Sequence, residues 1–203
     1  MEIIFVLVIL FFSIVIHEIA HGSVALSLGD PTAKNEGRLT LNPLKHIDFF
    51  GTILFPLFLL LATNGRGPIF GWAKPVPINP YNFRDQKWGV LKVAIAGPAM
   101  NFLIALIFGL AIRFLSLPQS LLIFFSIITV YNFAWGIFNL VPIPPLDGAH
   151  ILFTLLPERF SNLKFFIQQY SLFILIFFLL FGLNGIFLGA KFLYFLVSGQ
   201  PLL

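Results

Sequence analysis

His17-Glu18-Ile19-Ala20-His21 is the stretch of this chain whose residue types and spacing most directly imply chemistry. Four steps along a helix rotate a side chain by about 400°, so both imidazoles leave one face, a turn apart. Glu18 follows His17 by about 100°, close enough to act on a water at a metal without becoming a ligand. The H-E-x-x-H pattern gives two His to zinc and assigns the Glu as general base of peptide hydrolysis. The flanks are unlike those of a soluble enzyme. Ile3 to Ile16 is apolar apart from Ser13, and Val24 to Leu28 is apolar apart from Ser27. A metal held here would lie within the membrane.

A catalytic zinc usually has three protein ligands and one open position. The chain has no Cys and only 4 His, at 17, 21, 46 and 150, so the third ligand is His or carboxylate. The extension H-E-x-x-H-x-x-G-x-x-H is absent, because Val24 and Ser27 stand where Gly and His would be. Besides Glu18, the acidic residues are Glu2, Asp30, Glu36, Asp48, Asp85, Asp147 and Glu158, and most sit in basic loops as ordinary solvated charges. Asp147 differs. It follows an apolar span and the helix-breaking run Pro142-Ile143-Pro144-Pro145, where an ionised carboxylate is costly without a partner. A zinc ion, one per chain, would supply that partner.

The elements that must position these residues follow from composition. Of 203 residues 59% are hydrophobic and 10% charged, against about 25% charged in a soluble domain. The fold expected is an all-α polytopic membrane protein with about 4–6 membrane segments, each needing roughly 20 apolar residues. It forms a single domain over 1–203, with a catalytic core at about 1–150 and C-terminal membrane segments at about 170–197. Ile3 to Leu28, Trp88 to Leu115 and Leu121 to Val141 are good spans. Tyr170 to Val197 is apolar but interrupted at Gly182-Leu183-Asn184-Gly185, and its Phe-rich face reads as lipid-facing or packing surface. Phe49 to Ala62 is short and contains Pro56.

The loops on both sides of Phe49–Ala62 are basic, with Lys34, Arg38 and Lys45 before it and Arg66, Lys74, Arg84 and Lys87 after it. Arg113 is the only basic residue between the next two spans. The positive-inside rule puts both basic loops in the cytoplasm. Residues 49–80 would then form a re-entrant or β-hairpin element, the alternative being an ordinary short span. The run Trp72 to Pro80 cannot be helical, since Pro75, Pro77 and Pro80 remove donors and constrain their neighbours. Glu2 replaces the basic start of a signal peptide. The net charge of +4 reports loop orientation here and does not imply nucleic-acid binding.

With these pieces assembled, the chain resembles the site-2 protease family of intramembrane zinc metalloproteases, peptidase family M50. The resemblance rests on His17-Glu18-Ile19-Ala20-His21, Gly97-Pro98-Ala99-Met100-Asn101 and Asn139 through Gly148, in that order within apolar spans. Phe70-Gly71-Trp72-Ala73-Lys74-Pro75-Val76-Pro77 is similar to the family's short, PDZ-free branch. The resemblance implies His17, His21 and Asp147 as zinc ligands and Glu18 as the base. It further implies supporting roles for Asn101 and Asn139 at the substrate backbone or in the catalytic geometry, although polar residues in membrane helices also simply bond between helices. His46 is either a structural or interfacial residue or one that assists substrate. His150 is either interfacial or close behind the metal.

The implied substrate is a transmembrane segment of another protein, cleaved in regulated intramembrane proteolysis. The implied location is a prokaryotic inner membrane, with the site opening to the cytoplasm. Two other classes fit parts of the pattern. A catalytically silent binding or chaperone protein would be marked by loss of Glu18 or a ligand. A divalent-metal transporter would spread polar residues over several spans.

Overall fold

The computed structural model describes residues 2–64 and 71–202. Arg66 and Phe70 lie outside the described residues. The described chain is helical and forms no strand. The helices are α1 (Glu2–Ser27), α2 (Thr32–Asn35), α3 (Phe55–Ala62, entered from a π-helical stretch Phe49–Leu54), α4 (Gln86–Phe114) and α5 (Gln119–Asn139). They continue with α6 (Asp147–Leu155), α7 (Ser161–Gln169), α8 (Ser171–Phe181) and α9 (Leu183–Ser198).

Helix α4 is the hub, packing against α1, α5, α6 and α9. Its sequence explains why. Gly89, Val93, Gly97, Asn101, Ala105 and Gly109 recur at every fourth position and are all buried. Small residues in a stripe let helix backbones approach closely, which is how helices associate without a hydrophobic drive between them. A Cβ at Gly109 would stand 2.8 Å from Val197 of α9, and one at Gly136 of α5 would stand 2.8 Å from Phe102 of α4. Phe133 and Tyr194 fill the centre of the α4–α5–α9 packing, and Ser126 and the Tyr194 hydroxyl lie 2.8 Å apart.

Polarity is arranged inside out relative to a soluble protein. Leu103, Ile107 and Leu110 of α4 and Phe173, Phe177 and Leu180 of α8 are exposed, whereas Asn101, Thr129 and Asn132 are buried. Four buried hydroxyls and amides bond back into their own helix: Ser126 to Leu122, Thr129 to Phe125, Asn132 to Ile128 and Asn139 to Trp135. This satisfies them where lipid offers no partner. The protein is an integral membrane protein.

Among the described residues three helices are long and apolar enough to cross a bilayer, Phe5–Ser27, Gln86–Phe114 and Gln119–Asn139, or four if the pair α7–α8 is one span bent by 67°. This is fewer than the 4–6 segments expected. The C-terminal apolar stretch is the cause: it divides at Gly182 into α8 and α9, each too short to span alone. The expected β-hairpin is also not formed among the described residues. Phe49–Ala62 is helical, and residues 71–79 carry no regular secondary structure. Trp72 does return to it, donating its N–H to the Gly51 carbonyl at 3.1 Å. The Thr52 hydroxyl donates in turn to the Trp72 carbonyl at 2.8 Å. Gly51, Thr52 and Trp72 are therefore neighbours, although about twenty residues separate them in sequence.

Candidate metal centre

His17 and His21 stand one turn apart on α1, with rings edge to face and centroids 4.5 Å apart. Asp147 is the first residue of α6. The run Leu140–Leu146 turns the chain between α5 and α6, and Gly148 permits a tight return, since a Cβ there would overlap the Leu140 carbonyl. The result brings Asp147 Oδ2 to 3.1 Å from His17 Nε2 and 3.3 Å from His21 Nε2. The two Nε2 atoms are 2.9 Å apart. Glu18 is not among the three converging residues.

The outer partners of each ring decide what these atoms offer one another. His21 Nδ1 is 2.7 Å from the Val93 carbonyl, which can only accept, so Nδ1 carries the proton. His17 Nδ1 is 2.7 Å from Asn101 Oδ1. That amide is oriented by its own donor end, which gives hydrogen bonds to the Ser13 carbonyl at 3.3 Å and to Asn132 Oδ1 at 3.0 Å. Asn132 Nδ2 donates to the Ile128 carbonyl at 2.9 Å, which completes the chain. In the neutral tautomer that these contacts select, each imidazole offers a bare Nε2 lone pair inward, beside a buried carboxylate oxygen that has no hydrogen-bond donor.

Three electron-pair donors facing one point fit a cation. Zinc ligands at about 2.0–2.2 Å in a tetrahedron lie about 3.3–3.6 Å apart, and the separations of 2.9 to 3.3 Å here are slightly inside that. His17 is 3% exposed and His21 6%. Helix α4 covers the group through Gly97, where any Cβ would overlap both imidazoles.

Such a donor set, buried between apolar helices, can be compared with known proteins. The profile of peptidase family M50 matches residues 115–182. YwhC of Bacillus subtilis is 41% identical over 162 residues, covering 75% of this chain and 69% of YwhC. The chain belongs to peptidase family M50, the site-2 proteases. Rip2 of Mycobacterium tuberculosis is 29% identical over 190 residues, 92% of this chain and 71% of Rip2. MJ0392 of Methanocaldococcus jannaschii is 27% identical over 157 residues, 77% of this chain but only 36% of that protein. All three are named as zinc metalloproteases. No solved structure matches the chain at a significant level. The family resemblance carried by the three motifs is thus borne out.

Within this M50 core, the remaining residues singled out by sequence are dispersed. Asn101 sits directly behind His17 and is fully buried. Asn139, at the end of α5, donates to its own helix at the Trp135 carbonyl. His46 is fully buried in the loop before the π-helical stretch, with Nε2 2.8 Å from the Thr40 carbonyl. Its own carbonyl accepts from the Lys74 N–H at 2.9 Å. His150 is exposed on α6.

Glu18 is half-buried, and its Oε2 accepts the Val76 N–H at 2.8 Å. Asn132, the Val93 carbonyl and the Val76 N–H were not anticipated. Only Asn132 left a signal, as an amide in an apolar span.

Asp30 is corrected from solvated loop charge to buried anchor. It is 0% exposed. It accepts from the Thr32 N–H and hydroxyl, from Asn82 Nδ2 at 2.8 Å and from the Asn79 N–H at 2.7 Å. Burial alone would raise its pKa, but these hydrogen bonds outweigh burial and hold the carboxyl below its ordinary value.

Proposed function

We propose that this chain is an intramembrane zinc endopeptidase that hydrolyses peptide bonds within or near transmembrane segments of other membrane proteins. The convergence of His17 Nε2, His21 Nε2 and Asp147 Oδ2 on one point carries this reading. These three residues hold the metal, and residues 1–203 act as one catalytic domain. Zinc, when bound, supplies Lewis-acid polarisation of the scissile carbonyl and acidifies a water. Asn101 and the Val93 carbonyl hold each imidazole in the tautomer that leaves Nε2 free. Glu18, outside the ligand set, takes the proton from the attacking water and returns it to the leaving amine. Burial of His17 and His21 shields the atoms that would hold the metal from bulk water. A substrate helix hides its carbonyls in hydrogen bonds, so it must unwind locally before it can be attacked.

The test begins without a substrate. Detergent-purified wild type is expected to hold about one zinc per chain, and Asp147→Ala sharply less, by elemental analysis. Full retention in the variant would remove Asp147 from the ligand set. Glu18→Gln should then keep zinc but lose cleavage of a model transmembrane substrate by at least about a hundredfold. Cleavage surviving that substitution would sink the role of Glu18.

A further inference from the structure

The non-helical segment from Trp72 to Asn79 is fastened along its length by a few specific bonds. Lys74 donates its N–H to the His46 carbonyl at 2.9 Å. Arg38 Nη2 donates to the carbonyls of Lys74 at 2.7 Å and Pro75 at 3.2 Å. The Asn79 N–H reaches Asp30 at 2.7 Å. Between these ends lies Pro75-Val76-Pro77, in which only Val76 has an N–H, because proline has none. That single donor goes to Glu18 at 2.8 Å. The Val76 side chain is buried in a notch one turn further along α1, at Gly22, where a Cβ would lie 2.8 Å from Val76 Cγ1.

We infer that Glu18 and the Val76 N–H form a clasp, by which the Pro75-Val76-Pro77 strap positions the Glu18 carboxylate and Glu18 in return holds the strap against α1. Three observations converge on it. The donor is the only one the tripeptide has, and it is spent on the one acidic residue of the H-E-x-x-H motif rather than on a structural carbonyl. The flanking prolines stiffen the strap, so little ordering entropy opposes a closure held at one point. Gly22 provides the recess that brings the Val76 backbone within reach of a side chain one turn away. Val76 is a positioning residue, acting through its main chain. The consequence for catalysis rests on the role of Glu18 proposed above, whereas the clasp itself does not. Lifting the strap to admit a substrate would also free the base, so the two events are coupled.

The natural absence of cysteine makes the test direct. A single Val76→Cys chain in detergent is treated with N-ethylmaleimide, alone and combined with Glu18→Gln or Glu18→Leu. Gln retains an accepting oxygen, whereas Leu fills similar space and accepts nothing. A hydrogen bond to a charged group shifts an opening equilibrium by about tenfold or more. Labelling should therefore stay slow with Gln and accelerate about tenfold or more with Leu. Equal rates in all three chains would overturn the clasp.

Ser126→Cys, buried in α5, is the control for opening of the whole bundle and should stay protected in the Glu18→Leu background. If it does not, Glu18→Ala replaces Leu and is judged by the same comparison with Gln. For catalysis, Val76→Pro, which deletes the donor, should lower kcat on the model substrate more than it raises KM, while zinc content stays at the wild-type level. An effect confined to KM would overturn the positioning role. Zinc binding by wild type and its loss in Asp147→Ala are read separately, so failure of the clasp and failure of the metal site are distinguishable.

Discussion

At the scale of single residues, the proposed metal centre depends on where two protons are kept. Each imidazole has two nitrogens, and only the one left bare can bind zinc. Val93 settles this for His21 with a backbone carbonyl, which no side-chain substitution removes. Asn101 settles it for His17 with a side chain, and it is held in the right sense by Asn132 and the Ser13 carbonyl. The two ligands therefore differ in vulnerability. Asn101→Ala leaves every ligand in place but frees the His17 tautomer and opens a small polar void. Outer-shell losses of this kind typically cost about 10- to 100-fold in metal affinity, and competition against a chelator should show a loss in that range. Asn132→Ala, one step further out, should weaken zinc less than Asn101→Ala. The reverse order would mean that the network is oriented from α5 rather than from the histidine.

At the scale of elements, α4 and the loop segments carry the site as much as the helices that bear the ligands. The H-E-x-x-H face and the isolated Asp147 were legible in the sequence because both signals are local: a four-residue spacing, and a charge where a charge is costly. The four-residue stripe of α4, which accounts for the close approach at Gly97, emerged only from the structure. The partners of Asp30 were not legible. Asn79 and Asn82 lie in a different loop, and the key donor is a backbone N–H that no residue type advertises.

The same placement makes an acid-stability prediction. Hydrogen bonding keeps the Asp30 pKa below its unfolded value. Its contribution to stability is therefore complete above the ordinary carboxylate value, about 3.9, and is lost as pH falls through the lower folded value. In metal-free protein, thermal unfolding between neutral pH and pH 3 should show wild type losing an advantage that Asp30→Asn lacks throughout. Asn would also turn an N–H toward one of the donors, at a cost of about 1–3 kcal/mol near neutral pH. Parallel pH curves for the two chains would remove Asp30 as an anchor.

At the scale of the whole molecule, the depth of the site and the distribution of charge point to one orientation. His21 lies six residues before the end of α1 at Ser27, which is about 9 Å along the axis, and His17 about 15 Å. The proposed metal centre is thus nearer the end of α1 from which the first basic loop departs, within a core about 30 Å thick. The strap, the Asp30 anchor and the start of α4 gather at that same end, because each is bonded to the last turns of α1 or to the loop after it. A site opening there opens to whichever side receives Lys34, Lys45, Arg84 and Lys87, and we propose from the positive-inside rule that this side is the cytoplasm.

The hydrogen bond between Trp72 and Gly51 adds an independent constraint, since it holds these two residues at one level. A cysteine at Tyr81, which is 85% exposed, tests both statements in one experiment. A membrane-impermeant thiol reagent should leave Tyr81→Cys unmodified in intact cells and modify it in inverted membrane vesicles. A cysteine at exposed Leu44, on the other side of Phe49–Ala62, should follow the same pattern. Opposite accessibility at the two positions would make Phe49–Ala62 a crossing segment. Labelling of both from outside would keep the re-entrant element but turn the active site away from the cytoplasm.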